Sequence, residues 1–391
     1  KQPNDAVSRD REKDLAHLTM LLDRHGAPHP QPGATHYYGQ IGKHWLKWEQ
    51  HTEFVTYTAF SEDNGGRAFD PSIFEVYPSA WLEDAPGQRI TSILMRVAGR
   101  PAADAEASEL LRSWFVSESL AVSSVLDDAA VVAGDFRIDT SGHMRFAVFV
   151  TPGTGARRTG RIVQRLCEIE TYKSMSMLGF ARVRELEPKL NALDTQLNGL
   201  MSAMTDEAAP AERTLHDLLT TSAELETLSA QSSFRFGATG AYEAIVYQRI
   251  EALREVRFQG RQSFGEFMMR RYEPAMRTVK SAERRLESMS RRSVRASNLL
   301  RTRVDVERSA QNQALLESMD KRSDLQLRLQ RTVEGLSVVA ISYYAVSLAS
   351  YLLYPAADAL GVSKGMLTAA VTVPVVLVVW WMIRRLRAAA E

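Results

Sequence analysis

The sequence predicts an α+β protein in three parts: a mixed α/β domain, a long-helix bundle ending in a stalk, and a C-terminal hairpin of two transmembrane helices. Three observations carry this reading. Two uncharged stretches, Gly335 to Ala357 and Gly365 to Ile383, lie near the end of the chain. Residues 35–150 hold several β-branched and aromatic runs of strand length. Between Pro274 and Gly335 no Pro or Gly interrupts a segment rich in Arg, Ser, Glu and Gln.

Residues 1–34 begin polar, contain a short helical pattern at Leu15, Leu18, Leu21 and Leu22, and end in a Pro/Gly-rich linker, Gly26 to Gly33. Lys1 to Asp14 carries no signal-peptide pattern, so membrane insertion is expected to rely on the C-terminal spans.

Residues 35–159 form the α/β domain. Thr52–Phe60, Arg89–Val97, Ala130–Ile138 and His143–Val150 read as strands, and Ala103–Val116 as a helix between them. The turns are Phe60 to Gly66 and Asp139 to Gly142, the second short enough for a hairpin. Thr151 to Gly160 is Gly-rich but lacks Walker spacing and its terminal Lys-Ser/Thr, so it reads as a linker.

Residues 160–334 are helical. Gly160–Met204 and Ala211–Ala230 are separated by a turn ending at Pro210. Breaks are expected at Gly237–Gly240, Gly260 and Gly265. The stretch after Pro274 spans roughly 90 Å at 1.5 Å per residue. Its apolar positions are sparse, which predicts a stalk with one thin packed seam. The run Arg284, Arg285, Arg291, Arg292, Arg295, Arg301 and Arg303 is expected to pair with acidic neighbours, the alternative being an anion or lipid-headgroup site.

The spans occupy 335–354 and 365–383. Each exceeds the roughly 18 apolar residues that a membrane-crossing helix needs. Arg328 and Arg331 precede the first; Arg384, Arg385 and Arg387 follow the second. The positive-inside rule therefore predicts a bacterial inner-membrane protein with its N-terminal domain and its tail, 384–391, in the cytoplasm. Trp380 and Trp381, beside Arg384 and Arg385, are the expected interfacial anchors.

Composition excludes several classes. The net charge is +1, so no global field favours nucleic acid. The single cysteine, Cys167, forbids an intrachain disulfide and a thiolate metal site. Neither His-Glu-x-x-His nor Gly-x-Ser-x-Gly is present, and no catalytic set emerges, so the protein is not expected to be an enzyme.

Three constellations could carry function. On a helical wheel at about 100° per residue, Ser337, Tyr344, Ser347 and Tyr351, with Tyr343 and Ser350, fall in one arc of the first span. Hydroxyls facing hydrocarbon are unfavourable, so this arc should face a pore or a neighbouring helix. Ser342 is the exception. Asp305, Asp320 and Asp324, with Glu317, would form acidic rings in a symmetric oligomer, or be a solvated face. Glu49, His51 and Glu53 share one side of the run if it is extended and could converge on a divalent cation; the alternative is a charged strand edge.

An α/β domain, long helices, one very long helix entering the membrane and a second short span resemble the CorA magnesium-channel superfamily. The stretch Asn298 to Val333 is similar to that family's stalk helix. The resemblance implies a homo-oligomer, a pentamer, that conducts an ion. The chain departs from the family where Gly-Met-Asn should close the first span: Tyr351 to Asp358 stands there, and Gly365-Met366 is followed by Leu367. The run Tyr37 to Phe54 resembles an uncharacterised, largely alphaproteobacterial membrane-protein family built on a domain of unknown function. That resemblance extends over nearly the whole chain and implies no activity. The expected function is an ion channel or regulated pore; the alternative is a non-conducting membrane-anchored scaffold or sensor. Expected partners are membrane lipid and further copies of the chain, with no nucleic acid.

Overall fold

The computed structural model describes residues 10–62, 66–206, 209–359 and 363–390. The chain divides into two compact units, Lys1–Leu300 and Arg301–Glu391. The expected turn at 60–66, the turn before Pro210 and the loop between the spans lie partly outside the described residues, as do residues 1–9 and 391.

The first unit opens with helix α1 (Arg11–Arg24), whose N-terminus is capped by Asp10 accepting from the Lys13 N–H at 3.2 Å. Strands β1 (His36–Ile41), β2 (His44–Gln50) and β3 (Val55–Phe60) follow as an antiparallel meander in the order β1-β2-β3. Alternation puts Leu46 and Trp48 on the inner face of this sheet, where Leu18, Leu21 and Leu22 of α1 cover them. A 3-10 turn (Pro71–Val76) and helix α2 (Ser79–Glu83) close this core with Tyr77 and Trp81.

A second sheet holds β4 (Ile93–Gly99), β5 (Ala121–Val125), β6 (Ala130–Ile138), β7 (Met144–Val150) and β8 (Val256–Arg257), in the order β4-β7-β6-β5-β8. β4 runs parallel to β7; the remaining pairs are antiparallel. Helix α3 (Asp104–Trp114) buries Ala107 and Leu111 against Val131, Ala147 and Phe149. The β6–β7 hairpin forms where Asp139 to Gly142 predicts it, with a bulge between Gly134 and Ile138 at which Phe136 takes φ +52°.

Helices α4 (Ala156–Ala203) and α5 (Ala211–Leu253) form an antiparallel pair. Their buried residues recur every three or four positions: Leu186, Leu190, Leu193 and Leu197 on α4, and Leu218, Thr221, Leu225 and Leu228 on α5. The break expected at Gly237–Gly240 does not occur. The buried series continues through it as Ser232, Arg235, Thr239, Glu243 and Val246, so packing outweighs the intrinsic cost of two glycines. The real end is Arg254, in the left-handed region at φ +47°. Helix α6 (Phe264–Arg271) then starts at a capping box of Ser263 and Glu266. Glu255 accepts from the Phe264 and Gly265 N–H groups, both at 2.9 Å, and satisfies the rest of that helix end.

Helix α7 (Glu273–Ala359) begins in this unit. It buries Met276, Val279, Leu286, Met289 and Leu300. Arg285 donates to Asn191 and Asp194 of α4, both at 2.8 Å, and Lys280 pairs with Glu243 of α5 at 2.7 Å. Much of the arginine run is thus matched by acidic neighbours, including Arg292 with Asp194 and Arg291 with Glu287.

The second unit holds the rest of α7 and helix α8 (Lys364–Ala390). α7 passes Gly335 without a break, and both helices are long and apolar enough to cross a membrane. The seam expected along the whole stalk does not extend that far: Leu315, Leu316, Met319, Leu325, Leu329 and Val333 are exposed.

The α4–α5 contact is closest at Gly179, where an added Cβ would stand 2.1 Å from the Thr239 Oγ1. Gly179→Ala is therefore expected to destabilise by about 1–3 kcal/mol, the usual range for overpacking. Gly199→Ala, with nothing within 4 Å of its Cβ, should stabilise by about 0.5–1 kcal/mol. Denaturant unfolding of the two variants in one detergent checks the opposite signs.

Candidate functional site

Within the second unit α7 presents two opposite faces. Ser342 and Ser350 are only 7% and 2% exposed, and Val379 of α8 is 6% exposed. The half-buried positions of α8, Leu367, Val371, Val375 and Ile383, fall in line with Val379 at four-residue spacing. Ser342, the exception on the wheel, is thus buried, and Ser350 of the predicted arc is buried as well; neither hydroxyl has a hydrogen-bond partner among the described residues.

The other face carries the hydroxyls. Tyr343, Tyr344 and Tyr351 are 70%, 67% and 70% exposed, beside the half-buried Ser347 and the exposed Ser337. Counted at about 100° per residue, Leu315, Met319, Leu329, Val333 and Leu336 fall with this face in an arc of roughly 120°, which between Met319 and Leu329 also holds Arg322 and Gln326. Asp320 and Asp324 lie about 140° and 180° round from Leu315, on the far side of the helix. A straight α7 therefore cannot aim its tyrosines and these two carboxylates at one axis. Asp305 is exposed and lies nearer that face. At the far end of α8 the Arg384 guanidinium sits 5.2 Å from the Trp380 ring and that of Arg385 5.3 Å from Trp381, two cation–π pairs at four-residue spacing.

The first unit contains a cleft of about 2260 Å³, bounded by β3, β4, the segment before β4 and the N-terminal half of α4. Glu49, His51 and Glu53 all line it, but not as a ligand set. β2 ends at Gln50, and the His51 N–H donates to the Phe54 carbonyl at 2.8 Å, so the chain turns and the expected alternation stops. Glu49 pairs with Lys47 at 2.9 Å. The His51 ring stacks on Phe54 at 4.3 Å, with Tyr172 edge-on. Glu53 accepts from Arg235 Nη2 at 2.7 Å, Arg235 Nη1 at 3.2 Å and the Tyr242 hydroxyl at 2.5 Å. Among the described residues no group of three His, Cys, Asp or Glu could hold a metal ion. The divalent-cation reading of Glu49, His51 and Glu53 is corrected accordingly: the carboxylate it needs most is neutralised by a guanidinium.

The residues missed from sequence are Arg235, Tyr242 and Tyr172. A signal for the first existed, since Arg235 occupies a core position of α5, where a cation requires a buried carboxylate.

A family model described as protein of unknown function, DUF3422, matches residues 5–390. The chain belongs to the DUF3422 family. No curated protein and no solved structure matches it.

In this DUF3422 chain the cleft is electrostatically quiet. Burial holds His51 below the ordinary histidine range, against the opposing pull of Glu49 and Glu168. Cys167, half-buried in the floor, has its thiol pushed up to about 12 by burial, so it is no thiolate nucleophile at neutral pH. Tyr242 is raised by burial and by its bond to Glu53.

His44, His51 and His143 are all lowered, each chiefly by burial. Their contribution to stability is complete above the unfolded value near 6.5 and is lost as pH falls below it, because only the unfolded chain takes up the protons. The thermal midpoint should drop between pH 7 and pH 5, and less so in His51→Phe; an unchanged midpoint would contradict the burial. Arg235→Met, which strands Glu53, should destabilise by about 3–5 kcal/mol, and the double variant with Glu53→Gln by less, in a double-mutant cycle.

Proposed function

We propose that this protein is a homo-oligomeric, membrane-anchored scaffold or sensor of the bacterial inner membrane. Its first unit, in the cytoplasm, binds a partner in the cleft, and its subunits associate along α7. One observation carries the reading. The exposed tyrosine and serine face of α7 shares its arc with the exposed Leu315, Met319, Leu329, Val333 and Leu336, an apolar stripe interrupted by Arg322 and Gln326. A water-filled pore would not favour a face of Leu, Val and Met below its mouth; a helix–helix seam does. The charges of α7 from Arg301 to Glu334, seven cationic and six anionic, are interspersed and nearly balanced, so identical copies do not repel one another. The positive flanks of the spans favour a cytoplasmic side for both ends of the hairpin.

A second reading, ion conduction, draws on the hydroxyl arc itself, which would line a central axis if α7 were the inner helix. The departure of Asp320 and Asp324 from that face weighs against a pore approached through acidic rings.

Two experiments separate these readings. In a Cys167→Ser background, single cysteines at Leu329, Tyr344 and Tyr351 should crosslink between subunits, and one at Asp324 should not. Failure of all three would remove the α7 association. Purified protein in liposomes should show no Na⁺, K⁺ or Mg²⁺ flux above empty vesicles; flux that disappears in Tyr344→Leu would establish conduction instead.

A further inference from the structure

The five-stranded sheet ends at β4, and the open side of that strand lies in the cleft. The Met144 N–H donates to the Ser92 carbonyl at 2.7 Å, and the Arg100 N–H to the Val150 carbonyl at 2.8 Å. In a parallel pair this parity directs the backbone groups of Leu94, Arg96 and Ala98 toward β7. Those of Ile93, Met95 and Val97 point the other way, and among the described residues they have no hydrogen-bond partner. An open edge normally carries a device against pairing, such as proline, lysine, a bulge or a very short strand. β4 has seven residues, no Pro, no Lys and a regular register, and Arg96 is its one charged side chain. The cleft itself is what shields it.

We propose that the edge of β4 is a docking site for an extended peptide segment of a partner protein, taken up by β-strand addition. This deepens the reading of the first unit as a binding domain and rests on it. Three features of the cleft select such an occupant. Its volume, about 2260 Å³, exceeds the roughly 300–1,000 Å³ of small-molecule sites and suits a chain segment. Nine cationic and eight anionic side chains line it, a balance that gives a polyanion no advantage. The α4 side of the cleft presents Gly160, Val163, Cys167 and Thr171 flanked by Arg157, Gln164 and Glu168, which suits an added strand with apolar and polar side chains at alternate positions. Seven residues of strand, at about 3.3 Å each, would run the length of β4. The main chain supplies the affinity and the α4 floor the preference.

The test uses the purified full-length protein in detergent and has two arms. Residue-resolved hydrogen exchange without ligand should show the Ile93, Met95 and Val97 amides exchanging about a hundredfold faster than those of Leu94, Arg96 and Ala98. Equal protection of the two sets overturns the proposal. A random-heptapeptide display library is then panned on the protein, with Met95→Pro as the counter-target. Proline is tolerated where the N–H faces outward from an edge strand, so this variant should keep its thermal midpoint. Enriched peptides should alternate apolar and polar residues, slow exchange at the three edge amides, and lose affinity for Met95→Pro by about tenfold or more. N-methylation at alternate peptide positions should abolish binding in one register only. Peptides that bind Met95→Pro equally, the absence of any enrichment, or edge protection that rises with protein concentration alone (a second copy as occupant) each overturn it. Neither arm depends on crosslinking along α7 or on liposome flux, so failure here and failure of the oligomer reading are distinguishable.

Discussion

The buried ion pair between Glu53 and Arg235 is the constraint on which the arrangement of the first unit depends. Arg235 sits at a core position of α5, where a guanidinium without a carboxylate would be strongly unfavourable. Glu53 supplies that carboxylate from the β2–β3 turn, and the Tyr242 hydroxyl satisfies it further. One interaction therefore joins the three-stranded sheet to the long helical pair. Around it, Tyr172 stacks on Tyr242 and meets Phe54 edge-on, so the junction is also an aromatic cluster. The same junction sets one wall of the cleft and removes the cation site that Glu49, His51 and Glu53 suggest in linear order.

The helices of the first unit hold together by a mixed core rather than a purely apolar one. Ser176 bonds the Tyr272 hydroxyl at 2.8 Å, Thr239 donates back to the Arg235 carbonyl at 2.7 Å, and Ser222 meets Ser293. Small side chains at buried positions let α4 and α5 approach closely, as at Gly179, and the Ser176, Thr239 and Ser222 hydroxyls are bonded there, while that of Ser232 has no partner among the described residues. In the second unit small residues recur as well. There Ser342 and Ser350 are buried positions of an otherwise apolar helix, where a small side chain takes little room.

The surfaces proposed for partners are both exposed in the single chain: the α7 face from Leu315 to Tyr351 for copies of the same helix, and the β4 edge for an extended strand. In the cleft and its surroundings, burial holds His44, His51 and His143 below the ordinary histidine range and pushes the Cys167 thiol up.

Much was legible in the sequence because it is local. Ala130–Ile138 and Met144–Val150 announce themselves by β-branched composition, and α3 by its periodicity. The two helices long and apolar enough to cross a membrane follow from unbroken apolar length. The cation–π pairs Trp380 with Arg384 and Trp381 with Arg385 follow from helical spacing. Tertiary structure decided what spacing cannot encode. It carried α5 through Gly237 and Gly240, because buried contacts on the opposite face outweigh a local propensity. It turned the chain at His51, so that Glu53 met a guanidinium far along the sequence. And it left β4 at an edge: the order of strands in a sheet is set by long-range pairing, which no window of residues contains.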